Sequence, residues 1–396
     1  MQYDLVFEGG GAKGMVFVGA LQELERRGHT IGRLLGTSAG AITATFTAAG
    51  FSVGEMLDAL QEKDEHGPIF QQFLGRPRPL TREEVAASAT LALLRQVDFP
   101  YVPNFLEENF DKLVLFLMTR DQFANIVSFL ERGGWFSADA FVQWAQAKLD
   151  QTTPAGEPRN LSRLSFAEFH QATGRELSLV AADTSDRRML VLNHRTAPQL
   201  PVVWGMRMSM SLPLVWQEVI WQAEWGSYLG RPLAGHRVVD GGLLSNFPIE
   251  LFLSSDPHVT ALMGPKTSQG VLGLLIDESL PVAGIRSTTE PDGFSLGTLE
   301  TAQRIMGLID TATQAHDKMV IEAFEQFVCR LPAHGYGTTE FTMNDERREA
   351  LIAAGRAAMH NYFLTQETQG MKGPDVFEME RALNRADRVA AKLLQP

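Results

Sequence analysis

Apolar positions along the first fifty residues follow two periods in turn, and their order predicts the fold. Residues 3–7 are apolar, β-branched and aromatic, which is typical of a buried strand, and residues 31–35 predict a second strand. Residues 15–27 place apolar side chains on one helical face and end at Gly28, and residues 39–49 predict a nearly uncharged helix. This order predicts a β-α-β-α unit, and therefore an α/β protein whose helices cover a largely parallel sheet.

A break in this pattern falls between residues 66 and 136. Prolines and glycines punctuate the segment up to residue 103, which leaves room there for at most one helix, at 81–95. Seven aromatic side chains fall between Phe70 and Phe116, and residues 110–131 predict a helix. Two interpretations stay open: a helical subdomain with a small core of its own, and a lid over an apolar site.

The rest of the pattern contains no linker that would separate a second unit. Helices are predicted at 52–63, 137–149, 165–172, 201–211, 296–328, 345–364 and 375–394. Strands are predicted at 176–182, 188–192, 237–239 and 271–276, the first two as a hairpin-like pair. We therefore expect residues 256–396 to form a mostly helical C-terminal extension packed on the same unit as the residues before it.

Composition narrows the class of protein without naming a function. Apolar residues make up 44% and charged residues 21% of the 396-residue chain, which is ordinary for a soluble globular protein. The 35 Lys and Arg against 47 Asp and Glu give a formal net charge of −12, which would repel nucleic acid and disfavour electrostatic docking on anionic membranes. The single cysteine, Cys329, excludes an internal disulfide, and we interpret it as core filler.

Two features decide the expected compartment. The first residues lack the basic region of a secretory signal and enter a predicted strand at once. The longest uncharged run, residues 34–54, is long enough for a membrane span, but its Gly, Ser and Thr content favours a buried strand, a turn and a core helix. We therefore expect a cytoplasmic protein with no signal peptide or transmembrane segment, with non-classical secretion as an effector left open.

The pentapeptide Gly36-Thr37-Ser38-Ala39-Gly40 places a serine between a predicted strand and a predicted helix. A serine hydroxyl becomes an effective nucleophile when a sharp turn exposes it beside a base and a group that stabilises negative charge. Small flanking residues permit that turn and the close approach of a substrate carbonyl. Because a helix N-terminus also favours developing negative charge, Ser38 is a candidate nucleophile.

The glycine-rich turn from Gly9 to Gly14 fits two kinds of site. After a strand, Gly-x-Gly-x-x-Gly is typical of dinucleotide binding, which expects an acidic residue about 20 residues past the last glycine. Residues 33–38 contain no acid, so a nucleotide-binding module is the less favoured hypothesis. Adjacent glycines can instead direct backbone N–H groups at a carbonyl oxygen, as the oxyanion hole of a serine acyl transferase does.

A general base is still required, and no histidine is an obvious choice. The nine histidines lack distinctive surroundings, and we interpret them as surface or packing residues. Asp240 is different, because it ends an apolar strand and is followed by Gly241 and Gly242. Its carboxylate would project from a strand end while the backbone turns sharply away.

Three sequence blocks, in order along the chain, resemble the signature of the patatin-like phospholipases. They are Gly9-Gly10-Gly11-Ala12-Lys13-Gly14, Gly36-Thr37-Ser38-Ala39-Gly40 and Asp240-Gly241-Gly242. The stretch from Arg207 to Pro213 is similar to a further block before the family's aspartate. The resemblance spans residues 4–255, which we predict to be the catalytic domain, with the 66–136 segment as an insertion. Four tryptophans, at 204, 216, 221 and 225, predict either core or an acyl-pocket wall or interfacial anchor.

The resemblance implies a three-layer α/β/α fold with a mostly parallel central sheet. It implies Ser38 as nucleophile, Asp240 as the base of a Ser-Asp dyad without histidine, and the amides of Gly9, Gly10 and Gly11 as the oxyanion hole. The supporting positions in the same turns are Gly14, Gly36, Ala39, Gly40, Gly241 and Gly242. No cofactor and no metal are expected.

We therefore predict a serine lipid acyl hydrolase that cleaves phospholipid or another acyl lipid through an acyl-enzyme intermediate. Transient contact with a membrane surface is expected, and no nucleic-acid partner. The alternative is a regulated phospholipase effector, silent until a protein partner or a small nucleotide opens the 66–136 segment.

Overall fold

An eight-stranded sheet forms the centre of the computed structural model, which describes residues 1–65, 67–96, 112–285, 324–338, 340, 343–369 and 376–394. Its strands are β1 (Gln2–Phe7), β2 (Thr30–Thr37), β3 (Leu177–Asp183), β4 (Arg188–Leu192), β5 (Val219–Ile220), β6 (Arg237–Asp240), β7 (Gly270–Pro281) and β8 (Val328–His334). Neighbouring strands follow the order β8-β7-β1-β2-β3-β6-β5, and β4 also pairs with β3. The ladders from β8 to β3 are parallel, and β4, β5 and β6 pair antiparallel. The predicted mostly parallel sheet is therefore confirmed.

Helices cover both faces of this sheet. They are α1 (Val16–Arg26), α2 (Ala39–Ala48), α3 (Val53–Gln61), α4 (Ile69–Gln72), α5 (Arg82–Ala86), α6 (Ala89–Gln96), α7 (Lys112–Met118), α8 (Ala124–Arg132), α9 (Asp139–Leu149), α10 (Phe166–Thr173), α11 (Val202–Ser209), α12 (Glu250–Leu253), α13 (Pro257–Met263), α14 (Asp345–Gln369) and α15 (Val376–Leu393). Local sequence explains several of the helix starts. Ser52, Thr81 and Ser165 each accept a hydrogen bond from the amide three residues on, and the glutamate at that position accepts one from the backbone N–H of the cap residue.

The two faces of the sheet belong to separate hydrophobic cores, because successive strand residues point to opposite sides. In β1, Leu5 and Phe7 pack with residues of α1, α2, α3, α9, α11 and α14. Val6, between them, packs with residues of α12, α13 and α15. In β2, Leu34 packs in the first of these cores and Leu35 in the second. This division confirms the α/β/α layering.

Most predicted elements are present, but the two-residue strand β5 was not predicted, and three further places differ. Residues 328–334 form the edge strand β8 and were not predicted as a strand; the helix predicted at 296–328 otherwise falls mainly outside the described residues. The single helix predicted at 81–95 is two helices, because the Ser88 hydroxyl accepts from the Leu91 amide at 3.1 Å and starts a second one. The helix predicted at 110–131 is α7 and α8, separated by a 3-10 turn at Asp121–Phe123.

The described part of the 66–136 segment has two environments. Leu80, Val85, Leu91, Val114, Met118 and Val127 form a small hydrophobic core of their own, as the first interpretation predicts. Phe70 and Phe73 instead pack against Trp144 in the main core. Four of the segment's aromatic residues, at 99, 101, 105 and 110, lie outside the described residues.

No single helix in the described ranges is long and apolar enough to cross a membrane. One bent pair, α7 with residues Asp121–Arg132 at an angle of 77°, reaches that length and composition when the two are taken together.

Strands β2 and β6 meet end to end along one edge of β3. The hairpin partner β4 covers residues 179–183 along the opposite edge. On the shared edge, β2 runs parallel to β3 and ends with Thr37 opposite Val180, whereas β6 runs antiparallel and ends with Asp240 opposite Ala181. The residue that follows β2 and the last residue of β6 are therefore brought together from distant parts of the chain.

The long helix α14 crosses α1 at a point where each helix carries a glycine. A Cβ atom on Gly19 would lie 1.8 Å from the carbonyl oxygen of Ile352, and one on Gly355 would lie 2.1 Å from that of Val16. Beside the crossing, the buried Glu23 side chain of α1 contacts His360 of α14 at 2.9 Å. The two backbones are therefore too close to admit a methyl group between them.

The glycine crossing predicts opposite effects for one substitution at two sites. Gly355→Ala should lower the free energy of unfolding by about 1–3 kcal/mol, because the added methyl group forces the two helices apart. Gly54→Ala is the matched control, since Gly54 lies in α3 with its nearest non-neighbouring atom at 3.8 Å. It should raise stability by about 0.5–1 kcal/mol. Urea unfolding followed by circular dichroism measures both, and stabilisation by Gly355→Ala would contradict the close crossing.

Candidate active site

Ser38 occupies a strained turn between β2 and α2. Its backbone has φ 53° and ψ −119°, a conformation that costs a non-glycine residue about 1–3 kcal/mol. A Cβ atom on Gly40 would lie 2.4 Å from the carbonyl oxygen of Phe7, so glycine there lets the first turn of α2 reach the end of β1. Ser38 is left partly exposed at the N-terminus of α2, where the helix dipole favours negative charge.

Asp240 lies beside it at the end of β6. Its side chain accepts hydrogen bonds from the Ser38 hydroxyl and from the Gly242 amide, the latter at 2.8 Å. Asp240 is 2% exposed, and this burial raises the pKa of its carboxyl to about 7, although both hydrogen bonds act to lower it. A carboxyl group with a pKa near neutrality can both accept and return a proton at physiological pH.

The histidines of the described residues are occupied elsewhere. His236 contacts Asp183 at 2.9 Å, His360 contacts Glu23, and the rings of His170 and His194 stack at 3.8 Å. None of the described histidines hydrogen-bonds Ser38 or Asp240. The predicted serine and aspartate are therefore in direct contact without a histidine between them.

The glycine turn after β1 lies beside Ser38, but its three amides are not equivalent. The Gly9 amide donates to the Asn246 carbonyl at 3.1 Å, so the expectation that Gly9 contributes an oxyanion donor is not supported in this conformation. The amides of Gly10 and Gly11 have no acceptor within the described ranges, and Gly11 lines the same cavity as Ser38. These two amides remain the candidate oxyanion donors.

The supporting positions predicted from the sequence lie in the same three turns. Gly14 faces Ala39, which joins the glycine turn to the serine turn, and Gly36 faces Gly40 across the serine turn. Gly241 packs on the Val180 carbonyl, and Gly242 provides the amide that binds Asp240.

An apolar cavity opens beside Ser38. Its volume is about 760 Å³, a value that includes the open mouth. Its walls include Ile42, Phe46, Met56, Phe70, Phe73 and Trp216. Because Trp216 also donates its indole N–H to the Phe73 carbonyl at 2.8 Å, the 66–136 segment is fixed to one wall. Of the other clustered tryptophans, Trp221 and Trp225 are buried in the main core.

Three polar residues near the site were not identified from the sequence. Ser209 accepts a hydrogen bond from the Ser38 amide at 2.9 Å. Asn246 donates its side-chain amide to the Gly9 carbonyl at 2.8 Å, and Glu8 accepts from the Ile276 amide at 2.6 Å. The block from Arg207 to Pro213 pointed to the region of Ser209, whereas only their positions next to recognised motifs could have suggested Glu8 and Asn246.

Cys329 is not a second nucleophile. It is 1% exposed within the main core, and burial raises the pKa of its thiol to about 12. The interpretation of this residue as core filler is confirmed.

Two groups of described side chains consist of residue types that can bind a metal ion. They are His170 with Glu176 and His194, and Asp183 with Asp186 and His236. The first is unsuitable, because parallel imidazole rings cannot direct their in-plane lone pairs at one ion. Arg195 also holds Glu176 at 2.5 Å. In the second group Arg231 contacts Asp186 at 3.0 Å, so a guanidinium already balances that charge.

Fold and site together define an α/β protein with a serine–aspartate pair at the carboxyl ends of its strands, next to an apolar cavity. The model of the patatin-like phospholipases matches residues 5–253, and the chain belongs to this family. The match agrees closely with the 4–255 range over which the sequence motifs resemble it.

The chain is similar to several individual proteins. An uncharacterised Bacillus subtilis (strain 168) protein, YqhO, is 26% identical over 365 residues, which cover 90% of this chain and 96% of that protein. The crystal structure of VipD from Legionella pneumophila is 16% identical, with a TM-score of 0.47 over 92% of this chain and 67% of that one. The type III effector ExoU of Pseudomonas aeruginosa is 17% identical, with a TM-score of 0.39 over 99% of this chain and 61% of that one.

The raised pKa of Asp240 predicts a specific pH dependence of stability. Between about pH 4 and 7 the folded protein binds the Asp240 proton more tightly than the unfolded chain, so this residue's contribution to stability falls as pH rises through that window. Asp240→Asn should therefore gain stability over wild type as pH increases from about 5 to 8, by a few kcal/mol at about 1.4 kcal/mol per pKa unit.

Urea unfolding at both pH values measures this difference, and Asp277→Asn is the matched control. The pKa of Asp277 is lowered, mainly through hydrogen bonds from Ser279 and Arg330 that outweigh the opposing effect of burial. The effect of that substitution should not change over the same interval. A constant difference between wild type and Asp240→Asn would show that the carboxyl group titrates normally.

Proposed function

We propose that this protein is a serine lipid acyl hydrolase in which Ser38 is the nucleophile and Asp240 the general base. The observation that carries the proposal is the direct hydrogen bond between the Ser38 hydroxyl and the buried Asp240 carboxylate, at the mouth of an apolar cavity. Membership of the patatin-like phospholipase family supports a lipid ester as substrate.

The first half of the reaction transfers the acyl group to the enzyme. The Asp240 carboxylate takes the Ser38 proton as the Ser38 oxygen bonds to the ester carbonyl carbon. The carbonyl oxygen becomes negatively charged, and the amides of Gly10 and Gly11 together with the N-terminus of α2 stabilise that charge. The tetrahedral species then breaks its bond to the alcohol oxygen, which leaves with the proton held by Asp240.

The second half regenerates the enzyme. Asp240 takes a proton from water as the water oxygen attacks the acyl-enzyme carbonyl, and the Ser38 oxygen leaves with that proton. The products are one alcohol, such as a lysophospholipid, and one fatty acid. The apolar cavity accommodates the acyl chain in both halves, since its lining offers few polar groups that would need water.

Activity should depend on both residues and on pH. We expect Ser38→Ala and Asp240→Asn each to lower kcat for phospholipid hydrolysis by at least about 10³-fold. For wild type, kcat/KM should rise with pH through about 7, because the base must be deprotonated. Fatty-acid release from phosphatidylcholine measures both effects. Asp277→Asn is the matched control for the second variant, and equal activity in all four proteins would refute the mechanism.

We further propose that the 66–136 segment contacts the lipid surface from which substrate is drawn. Five of the nine exposed large apolar side chains in the described ranges lie there: Leu93, Leu113, Phe116, Ile126 and Leu130. The segment carries seven Lys and Arg against eight Asp and Glu, so its positive and negative charges are nearly balanced. The exposed Arg120 guanidinium lies 4.2 Å from the Phe116 ring centre, which places a positive charge beside the apolar surface. Through Trp216 the same segment adjoins the cavity.

Removing exposed apolar side chains from this segment should weaken vesicle binding. We expect Ile126→Ser combined with Leu130→Ser to reduce partitioning onto phosphatidylcholine vesicles by about tenfold or more, since each buried side chain contributes about 1 kcal/mol or more. Hydrolysis of a soluble short-chain ester should be unchanged. Leu229→Ser with Leu364→Ser, two exposed leucines elsewhere, is the control. Equal partitioning of the two double variants, measured by sedimentation, would refute the assignment of this surface.

Regulation by an activator is the second candidate, because Phe70 and Phe73 from the 66–136 segment wall the cavity. A partner that moved this segment would change access to Ser38. High basal activity of the purified protein on phospholipid would contradict a requirement for an activator.

A further inference from the structure

We propose that the tripeptide Ser209-Met210-Ser211 is a clamp that sets the spacing of Ser38 and Asp240, with Ser209 acting as a positioning residue for the nucleophile. The contacts that define the clamp are made by backbone groups and hydroxyl groups. Only the part of the test that measures ester turnover rests on the proposed function.

Ser209 connects the strained serine turn to the central sheet. Its hydroxyl accepts a hydrogen bond from the Ser38 amide at 2.9 Å and donates one to the Val180 carbonyl at 2.6 Å. Ser209 is fully buried, so water does not replace either contact. Val180 is the residue of β3 that stands opposite Thr37, the last residue of β2. The hydroxyl therefore fixes the turn to the strand at the place where the turn begins.

Ser211 holds the other half of the pair. Its carbonyl accepts a hydrogen bond from the Asp240 amide at 3.0 Å. Its hydroxyl contacts the guanidinium of Arg207 and donates to the Arg207 carbonyl at 2.5 Å. Arg207 is itself buried and donates to the Gln217 carbonyl at 2.8 Å. Ser211 is thus held by its own network at the end of β6.

The two anchors are separated by a single residue, Met210, whose side chain lines the cavity beside Ser38. The Ser38 amide is bonded to the Ser209 hydroxyl, and the Asp240 amide is bonded to the Ser211 carbonyl. The rigid backbone between Ser209 and Ser211 therefore sets the distance between the two reacting side chains. A positive φ in a non-glycine residue persists only where the surroundings hold it, and at Ser38 the Ser209 hydroxyl supplies that support.

The test uses a fluorophosphonate, which labels an activated serine without any lipid. The Ser38 oxygen bonds to phosphorus, the phosphorus–fluorine bond breaks, fluoride leaves, and Asp240 takes the serine proton. Ser209→Ala should slow labelling by about 10- to 100-fold, since a displacement near 1 Å has an effect of that size. Ser178→Ala is the matched control: it removes another buried hydroxyl of the same region, one that accepts from Asn193 at 3.1 Å, and should change the rate by less than about twofold.

Two further readouts separate positioning from loss of stability. The pH midpoint of labelling should rise in Ser209→Ala, because a displaced Ser38 no longer lowers the pKa of Asp240 through its hydrogen bond, and it should stay unchanged in Ser178→Ala. For an ester that wild type hydrolyses, kcat should fall while KM stays nearly constant. If Ser209→Ala does not fold, Ser209→Cys replaces it, and its weaker S–H donor should give an intermediate rate.

Equal labelling rates and equal pH midpoints for the Ser209 and Ser178 variants, at equal folded fraction, would overturn the clamp. Slow labelling of Ser209→Ala together with fast labelling of a wild type that cleaves no lipid would retain the clamp and refute the proposed function.

Discussion

The structure depends on one constraint, the meeting of two strands along a single edge of β3. A parallel strand that ends at Thr37 and an antiparallel strand that ends at Asp240 occupy consecutive positions opposite Val180 and Ala181. Neither strand could be longer without colliding with the other. The chain must therefore leave both strands sharply at this point, through a strained serine on one side and a glycine pair on the other. The hydrogen bond between Ser38 and Asp240 follows from this arrangement of the sheet.

The same arrangement places a carboxylate where it is least stable. Asp240 is buried and its pKa is raised to about 7. Ionising this carboxyl group therefore costs more free energy in the folded protein than in the unfolded chain. Among the residues that the structure describes, two hydrogen bonds, from Ser38 and Gly242, oppose this effect of burial. If this carboxyl group had the lower pKa of an exposed aspartate, it would be a poor proton acceptor near neutrality, because the ionised form would be favoured too strongly. Stability and chemistry are therefore in opposition at this residue.

Part of this could be predicted from local signals in the sequence, since strand periodicity and glycine punctuation predicted a largely parallel sheet covered by helices. The three layers and the contact between Ser38 and Asp240 were implied by the resemblance of three ordered motifs to the patatin-like phospholipases. The edge strand at Val328–His334 was not predicted, since seven residues give little evidence of period beside a long helical pattern. The bond from Gly9 to Asn246 and the role of Ser209 depend on residues far apart in the chain, which periodicity does not connect.

The neighbours of the glycine turn extend beyond the part of the chain that defines the family. The family model ends at residue 253, yet β1 takes its second parallel partner from β7, at residues 270–281. The Ala12 amide at the turn donates to the Thr338 carbonyl at 2.9 Å, and buried Lys13 pairs with Glu278. A fragment cut at the family boundary would expose one edge of β1 and remove the acceptor that holds the turn. The stretch of sequence by which the family is recognised is thus shorter than the stretch needed to shape its glycine turn.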